Sequence, residues 1–240
     1  MADIDLGRLA RGYAHRAPSE ESLDRARAAT DGLPMPATIL DIGGGPGHHA
    51  AVWAEEGHHP VVLDPAAEMV RSAAIRGVAV ILGLSQAMPL RDVSFDLAWF
   101  HLSLHYGDWR RSLDEAARVI VPDGRIEIWT LGADHHDQSM LSRWFPSVPR
   151  LDRERFPEVD DVRDHLEALG ATVTVGKVVE QKSRPAGEWA AAAKAGFVST
   201  LQLVDMAEFE AGMDAFRQAN PDTSAEIAYE LRFNRIVASR

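Results

Sequence analysis

The chain has 240 residues, of which 46% are hydrophobic and 25% are charged, a composition typical of a globular protein and not of a disordered one. Its formal net charge of −11 argues against nucleic acid or an anionic membrane as the main partner, since both are bound through surfaces rich in Lys and Arg. The absence of cysteine excludes disulfides, thiolate zinc sites and a cysteine nucleophile, and no apolar run has membrane-spanning length, so we expect a cytoplasmic protein that does not associate with membranes.

The first predicted element is a helix over residues 19–31, where Ser19 can cap the first turn. Apolar runs of strand length then alternate with stretches of helical period, which predicts a mostly parallel sheet with helices on both faces. Helices between the early strands end at Gly57, at Gly77 and at the turn of residues 122–124. The seven predicted strands are 37–42, 60–64, 78–82, 95–100, 124–130, 171–179 and 229–239.

Two segments lie outside this minimal sheet, residues 1–36 and residues 181–222. In the second segment, Met206, Phe209, Met213 and Phe216 recur at helical spacing. We expect one domain over 1–240, with an N-terminal helical cover (1–36), a ligand-binding core (37–180), a helical insertion or lid (181–222) and a last strand (223–240). The alternative is that the extra helices only extend the edge of the sheet.

The stretch "ILDIGGGPGHH" (39–49) places glycines directly between a strand and a helix. Bare backbone N–H groups and a helix N-terminus at this point can hold a ligand that approaches too closely for a Cβ atom. Asp64 ends the next strand, where an acidic side chain accepts hydrogen bonds from ribose hydroxyls. This pattern fits either a dinucleotide or an adenosyl cofactor.

The dinucleotide pattern G-x-G-x-x-G is incomplete here. Read from Gly43, its third glycine position is His48; read from Gly45, it survives only in the weaker form that ends in Ala50. Asp41 would repel a pyrophosphate, whereas its carboxylate could order the loop and face a cationic amino-acid tail. This residue therefore favours the adenosyl cofactor.

Several motifs along the chain resemble, in order, those of the class I S-adenosylmethionine-dependent methyltransferases, in particular the small type-11-like group. The similar stretches are "ARGYAHR", "LDIGGGPG", "VVLDPAAEMV", "SFDLAWFHLSLHY", "DEAARVIVPDGRIEIW" and "FPEVDDVRDHLEALGATVTV", which together span roughly residues 8–180. The resemblance implies a Rossmann-like seven-stranded sheet that is mostly parallel, with an antiparallel last strand. It also implies S-adenosylmethionine as the cofactor.

The resemblance also implies roles for residues around that cofactor. Phe100 would offer a backbone carbonyl to the amino group, and His101, one residue later, would face the cofactor as a base or as a packing residue. Leu84 stands where many relatives carry an adenine-binding Asp, so Ser85 or Gln86 would supply those hydrogen bonds. The remaining implied contacts are Asp41, Gly43, Gly45 and Gly47 to the methionine tail, Asp64 to the ribose, Pro65 and Met69 to adenine, and Tyr13 and Arg16 closing over the tail.

Histidines are the candidate proton acceptors, since an amine or hydroxyl acceptor usually loses a proton during methylation. His105 follows the fourth strand and is the first choice, with a hydrogen-bonded packing role as its alternative. His135 and His136 follow the fifth strand and are the second choice; their adjacent positions lack the usual spacing of metal ligands, and we expect no metal. His48 and His49 could contact a substrate or support the loop.

We therefore predict an enzyme that moves the methyl group of S-adenosylmethionine to O, N or C of a small-molecule acceptor. One alternative is a methyltransferase-like protein that binds the adenosyl ligand without catalysis. A second is a nicotinamide-dependent oxidoreductase. We expect a monomer or homodimer that does not bind nucleic acid.

Overall fold

The computed structural model describes residues 18–239. Its seven strands form one sheet in the order β3-β2-β1-β4-β5-β7-β6. The first five strands pair in parallel, and β7 runs antiparallel to both β5 and β6. The strands are β1 Thr38–Ile42, β2 His59–Asp64, β3 Ala79–Leu82, β4 Phe95–His101, β5 Ile120–Leu131, β6 Thr172–Pro185 and β7 Glu226–Ser239. This arrangement confirms the predicted seven-stranded, mostly parallel sheet.

Helices cover both faces of this sheet because the buried strands are apolar on both sides. They are α1 Glu20–Ala28, α2 His48–Glu55, α3 Ala67–Ile75, α4 Trp109–Val119, α5 Ala133–Gln138, α6 Met140–Trp144, α7 Val148–Arg155, α8 Val159–Ala168, α9 Ala186–Lys194 and α10 Met206–Ala219, with 3-10 turns at Leu104–Tyr106 and Ser199–Gln202. Ser19 caps α1 as predicted, its hydroxyl accepting from the Ser22 N–H. No helix of the described chain is long and apolar enough to cross a membrane.

Each face of the sheet has its own apolar core. Leu40 and Ile42 of β1 pack on the side of α4 and α8, whereas Ile39 packs with Trp53 and Trp99 beneath α1, α2 and α3. Alternation of side chains along β1 therefore places Asp41 on the same face as Ile39.

The fifth strand begins four residues before its predicted start at residue 124. Phe95 pairs with Ile120, and the register then shifts so that Leu97 pairs with Arg125. The Pro-Asp-Gly stretch predicted as a turn is thus an irregularity within β5, because pairing with β4 continues on both sides of it.

The last two strands extend beyond their predicted limits and correct the start of the predicted lid. Residues 181–185 belong to β6 and not to a helical insertion, and they pair with residues 226–230 of β7. We call the paired segments 178–185 and 226–233 the ribbon. The charged stretch "EQKSR" (180–184) lacks the apolar pattern of a buried strand, and so sequence alone ended the strand too early.

The helices after β5 and after β6 share a third core. Trp189 of α9 stacks on Phe216 of α10 at 4.2 Å between ring centroids, and Phe145, which follows α6, is buried in the same cluster. The helical spacing predicted for residues 206–216 is confirmed in α10, where Met213 and Phe216 are buried. Two insertions distant in sequence therefore form one helical unit, α6–α7 with α9–α10.

Candidate functional site

A cavity of about 660 Å³ opens at the carboxyl edge of β1, β2 and β4. Residues 43–47, which we call the glycine loop, form one wall together with the start of α2. The start of α3 and residues 83–86 form a second wall. The third wall consists of α1 and the ribbon. Ligands of parallel α/β folds bind at this edge, and the volume suits a cofactor-sized molecule.

The glycine loop requires glycine for two different reasons. Gly43, Gly45 and Gly47 have φ angles of 68°, 56° and 77°, in the left-handed region that other residues rarely adopt. Close packing adds to this at two positions, since a Cβ on Gly43 would lie 2.5 Å from Ser103 Cβ and one on Gly47 would lie 2.9 Å from Ala73 Cβ. These two features account for glycine here without a ligand, whereas the sequence prediction relied on close approach of a ligand; of the three glycines, only Gly43 lines the cavity.

Asp64 lies in the cavity wall and connects the loop to the second strand. Its Oδ2 accepts a hydrogen bond from the Gly45 N–H at 3.0 Å, and its Oδ1 accepts one from the Ala66 N–H at 2.8 Å. Each carboxylate oxygen can accept a further bond, and the side chain is 7% exposed toward the cavity. Asp64 can therefore bind two neighbouring hydroxyls, as a ribose offers.

Asp41 lies beneath the loop and outside the cavity lining. A Cβ on Gly44 would be 2.4 Å from the Asp41 carboxyl carbon, so the loop passes directly over this side chain. Its Oδ2 is buried without a hydrogen-bond partner in the described chain. Burial, and secondarily the Asp64 carboxylate, raise the pKa of Asp41 to about 8. The loop therefore separates Asp41 from the cavity, so the predicted direct contact with a methionine tail would require the loop to move.

The part of the cavity that is lined by the start of α3 and by residues 83–86 is mostly apolar. Pro65 and Met69, the predicted adenine contacts, line it together with Leu84. Ser85 and Gln86 also line it; the Ser85 hydroxyl is 2.8 Å from the Ser112 hydroxyl and 3.4 Å from Gln86 Oε1, so both side chains already have polar partners. This end suits a flat heterocycle held between apolar side chains, with few hydrogen bonds to it.

Backbone geometry at the end of β4 shifts one predicted contact. Phe100 is fully buried in the core and does not line the cavity, whereas His101, Leu102 and Ser103 do. Leu102 has a φ angle of 53°, which is rare for a residue with a side chain and typical of strained backbone at binding sites. A carbonyl that meets the cofactor's amino group would come from residues 101–103 and not from Phe100.

Two histidines lie together where β4 meets α2. The His49 and His101 rings are 4.7 Å apart, and both residues line the cavity. His49 Nε2 is 2.9 Å from the Ser22 hydroxyl, and Arg25 donates to His101 Nε2 at 2.9 Å. Burial, followed by the positive charge of Arg25, lowers the pKa of His49 to about 3, so its ring stays neutral and is a weak proton acceptor.

Sequence reasoning missed the third wall of the cavity. Arg25 packs over Phe233 at 4.2 Å from the ring centroid and forms an ion pair with Glu180. The ribbon residues that line the cavity are Glu180, Gln181, Lys182, Ser183, Arg184, Tyr229, Leu231 and Phe233. The alternation of residue types in "YELRF" (229–233) was the available signal for this wall.

The three predicted catalytic histidines lie outside the cavity lining. The His105 ring stacks on Phe156 at 3.9 Å, and burial, with the nearby Arg155 charge, holds its pKa well below the usual value. His135 accepts a hydrogen bond from the Arg232 backbone N–H, and His136 lies 3.6 Å from Asp152 Oδ2. These positions support packing roles. Tyr13 and Arg16 fall outside the described residues.

Comparison with known proteins identifies similar chains. Residues 40–128 match a family model described as a methyltransferase domain. The chain is 33% identical over 180 residues to a malonyl-[acyl-carrier protein] O-methyltransferase of Erwinia billingiae, covering 71% of each protein. It is 30% identical to the protein of that name from Pseudescherichia vulneris, covering 63% of this chain but only 61% of that relative. The solved YcgJ protein from Bacillus subtilis shares the fold, with a TM-score of 0.65, 18% identity and coverage of 92% of this chain and 99% of that one.

Proposed function

The chain belongs to the class I S-adenosylmethionine-dependent methyltransferases, and on this premise we propose that it moves the cofactor's methyl group to O, N or C of a small-molecule acceptor. The product of the cofactor would be S-adenosylhomocysteine. The observation that supports the proposal best is the cavity at the carboxyl edge, with Asp64 joined to the glycine loop on one side and open space toward the ribbon on the other.

The residues of this cavity fit the cofactor. Asp64 would bind the ribose hydroxyls, and Pro65, Met69 and Leu84 would hold adenine with help from Gln86. The glycine loop would lie against the amino-acid tail, and the cationic amino group of that tail would favour the ionised form of the unpartnered Asp41 carboxyl below the loop. When bound, S-adenosylmethionine supplies an activated methyl group on a positively charged sulfur.

The chain's own contribution would be orientation and exclusion of water. α1 and the ribbon would enclose the acceptor beside the histidine pair, where contact with the His49 and His101 rings would orient it. The lowered pKa of His49 makes that residue unsuited to removing a proton from a weak acid. Acceptors that are already deprotonated at neutral pH, such as carboxylates, are favoured by this geometry. The Erwinia relative is named for an O-methylation, which is consistent with this preference.

Calorimetric titration with S-adenosylhomocysteine and with NAD tests the cofactor assignment. We expect S-adenosylhomocysteine to bind and NAD not to bind. Asp64→Ala should weaken the binding by about 1–3 kcal/mol, the range for hydrogen bonds to a charged group. Asp123→Asn, in the exposed part of β5, is the matched control and should bind as the natural protein does. Tight NAD binding without adenosyl binding would contradict the proposal.

Turnover separates this proposal from the alternative of a non-catalytic binding protein. We expect release of S-adenosylhomocysteine in the presence of a panel of carboxylate, phenol and amine acceptors. A protein that binds the cofactor but releases no product with any acceptor would support the binding-only alternative. We further propose that the enzyme is cytoplasmic and is a monomer or a homodimer. Its partner would be the small-molecule methyl acceptor.

A further inference from the structure

The ribbon presents two different strips of side chains to the cavity. Residues directly opposite in an antiparallel pair point to the same face, and the register pairs Glu180 with Leu231 and Lys182 with Tyr229. The β7 strip is therefore apolar and aromatic, and continues to Phe233. The β6 strip is charged and continues to Arg184.

Most charges on this wall neutralise one another. Glu180 contacts Arg25 and also lies 3.0 Å from Lys182, whose amino group lies 2.8 Å from Glu21. Two cations and two carboxylates thus form one balanced cluster at the inner part of the wall. Such a cluster fixes α1 to the ribbon but leaves no net charge for a ligand.

Arg184 differs from these residues. Its guanidinium has no carboxylate within ion-pair distance among residues 18–239, and its Cζ atom lies 5.9 Å from the centroid of the Phe197 ring. The residue is half-buried and lines the cavity. In a protein with a formal net charge of −11, a lining arginine without a carboxylate partner is an unused site for an anion.

The length of the ribbon limits the length of a ligand that could contact both the apolar β7 strip and Arg184. Val178 is opposite Phe233, whose ring lies 6.3 Å from that of His101 at the end of β4. From residue 178 to Arg184 the strand extends six residues, roughly 20 Å at the usual rise of about 3.3 Å per residue. The surface between these two ends carries Leu231 and Tyr229.

We propose that the methyl acceptor is an elongated organic anion whose apolar body lies along Phe233, Leu231 and Tyr229 and whose carboxylate or phosphate group is bound by Arg184. This inference rests on the proposed function, since it places the anion in the acceptor part of the same cavity. The guanidinium offers two parallel N–H donors, a geometry that matches both anions and rejects a neutral amide. Arg184 is then a specificity residue remote from the transferred methyl group.

The test measures binding of three matched probes to the protein saturated with S-adenosylhomocysteine. The probes are 10-phenyldecanoate, its neutral amide and 10-phenyldecyl phosphate, whose extended lengths approach the span from Phe233 to Arg184. We expect at least one anion to bind about tenfold or more tightly than the amide, with a preference that weakens as salt is raised. The stronger of the two anions identifies the group that Arg184 recognises.

Variants distinguish the contribution of Arg184 to binding from that of the apolar β7 strip. Arg184→Gln should remove the preference for the anions, Arg184→Lys should keep part of it, and Arg217→Gln, on the exposed face of α10, should leave it unchanged. Tyr229→Ala should weaken the anions and the amide by the same factor. S-adenosylhomocysteine affinity, measured on each variant, reports whether its cofactor end is folded.

Equal binding of anions and amide by the natural protein would overturn the inference, as would failure of all three probes to bind at millimolar concentration. A preference that survives in Arg184→Gln would assign the anion to another residue and also overturn it. If the natural protein does not bind S-adenosylhomocysteine, that result would contradict the proposed function instead. Failure of the inference and failure of the proposed function are therefore distinguishable.

Discussion

At the scale of single residues, Asp41 combines burial with an unpartnered oxygen. Its pKa is raised from 3.8 to about 8, first by burial and then by Asp64. The folded state therefore holds a proton that the unfolded state releases above about pH 4. The stability that comes from the neutral carboxyl is therefore complete below pH 4 and is lost as the pH rises toward 8.

Asp41→Asn should reduce this pH dependence, because an amide stays neutral throughout. We expect the ligand-free natural protein to lose stability between pH 5 and pH 8, on the order of a few kcal/mol, and the variant to lose less. Urea denaturation at the two pH values measures the difference, with Asp123→Asn as an exposed control. The same loss in the variant as in the natural protein would show that other groups carry the pH dependence.

At the scale of elements, α1 is attached to the ribbon through Arg25. This side chain is 9% exposed and lies between the Trp129 and Phe233 rings, at 4.8 and 4.2 Å from their centroids. It donates to His101 and pairs with Glu180, so one guanidinium joins α1, β4, β5 and the ribbon. Removing Glu180 would leave the buried Arg25 guanidinium without a carboxylate, whereas removing Arg25 would leave Glu180 with Lys182 as its remaining cation. Either single loss disturbs a buried pair and costs more than removing both charges together.

A double-mutant cycle measures this coupling. Arg25→Met and Glu180→Gln should each destabilise the protein by about 3 kcal/mol, and the double variant should lose at least about 1 kcal/mol less than the sum. The exposed pair of Arg217 and Asp214 provides the matched control, where a coupling of about 0.2–1 kcal/mol is expected. Additive effects at Arg25 and Glu180, determined from urea denaturation, would mean that the pair does not fix α1.

At the scale of the whole molecule, the cavity and the helical unit occupy different places. No residue of α9 or α10 is among the described residues that line the cavity, whereas α1 and the ribbon line it directly. The helical unit instead buries its aromatic side chains in a core of its own. The segment expected as a lid over the acceptor thus contributes to the cavity through its first residues, 181–184.

Hydrogen exchange with and without S-adenosylhomocysteine tests this division. Ligand should slow exchange in the glycine loop, α1 and the ribbon, because these segments form the walls of the cavity. Exchange in α9 and α10 should stay nearly unchanged, and these helices serve as an internal control. Strong protection of α9 and α10 would restore their predicted role as a cover.

The sequence alone determined the sheet, the glycine loop and the position of Asp64 at the carboxyl edge. These features depend on local signals: apolar runs of strand length, glycines between a strand and a helix, and Asp64 at the end of a strand. Chain order and strand ends then place such residues at one edge, because parallel strands share their carboxyl ends.

Only the tertiary structure decided the third wall of the cavity, where we propose that the acceptor binds. Glu180, Lys182 and Arg184 belong to a polar stretch that local patterns assign to no buried strand, and they form a wall because β7 continues to pair with β6 beyond the sheet. His105 follows β4 at the expected place in sequence, yet packing against Phe156 turns it away from the cavity. Side-chain direction and long-range pairing depend on residues distant in sequence, and these contacts determine what the cavity can bind.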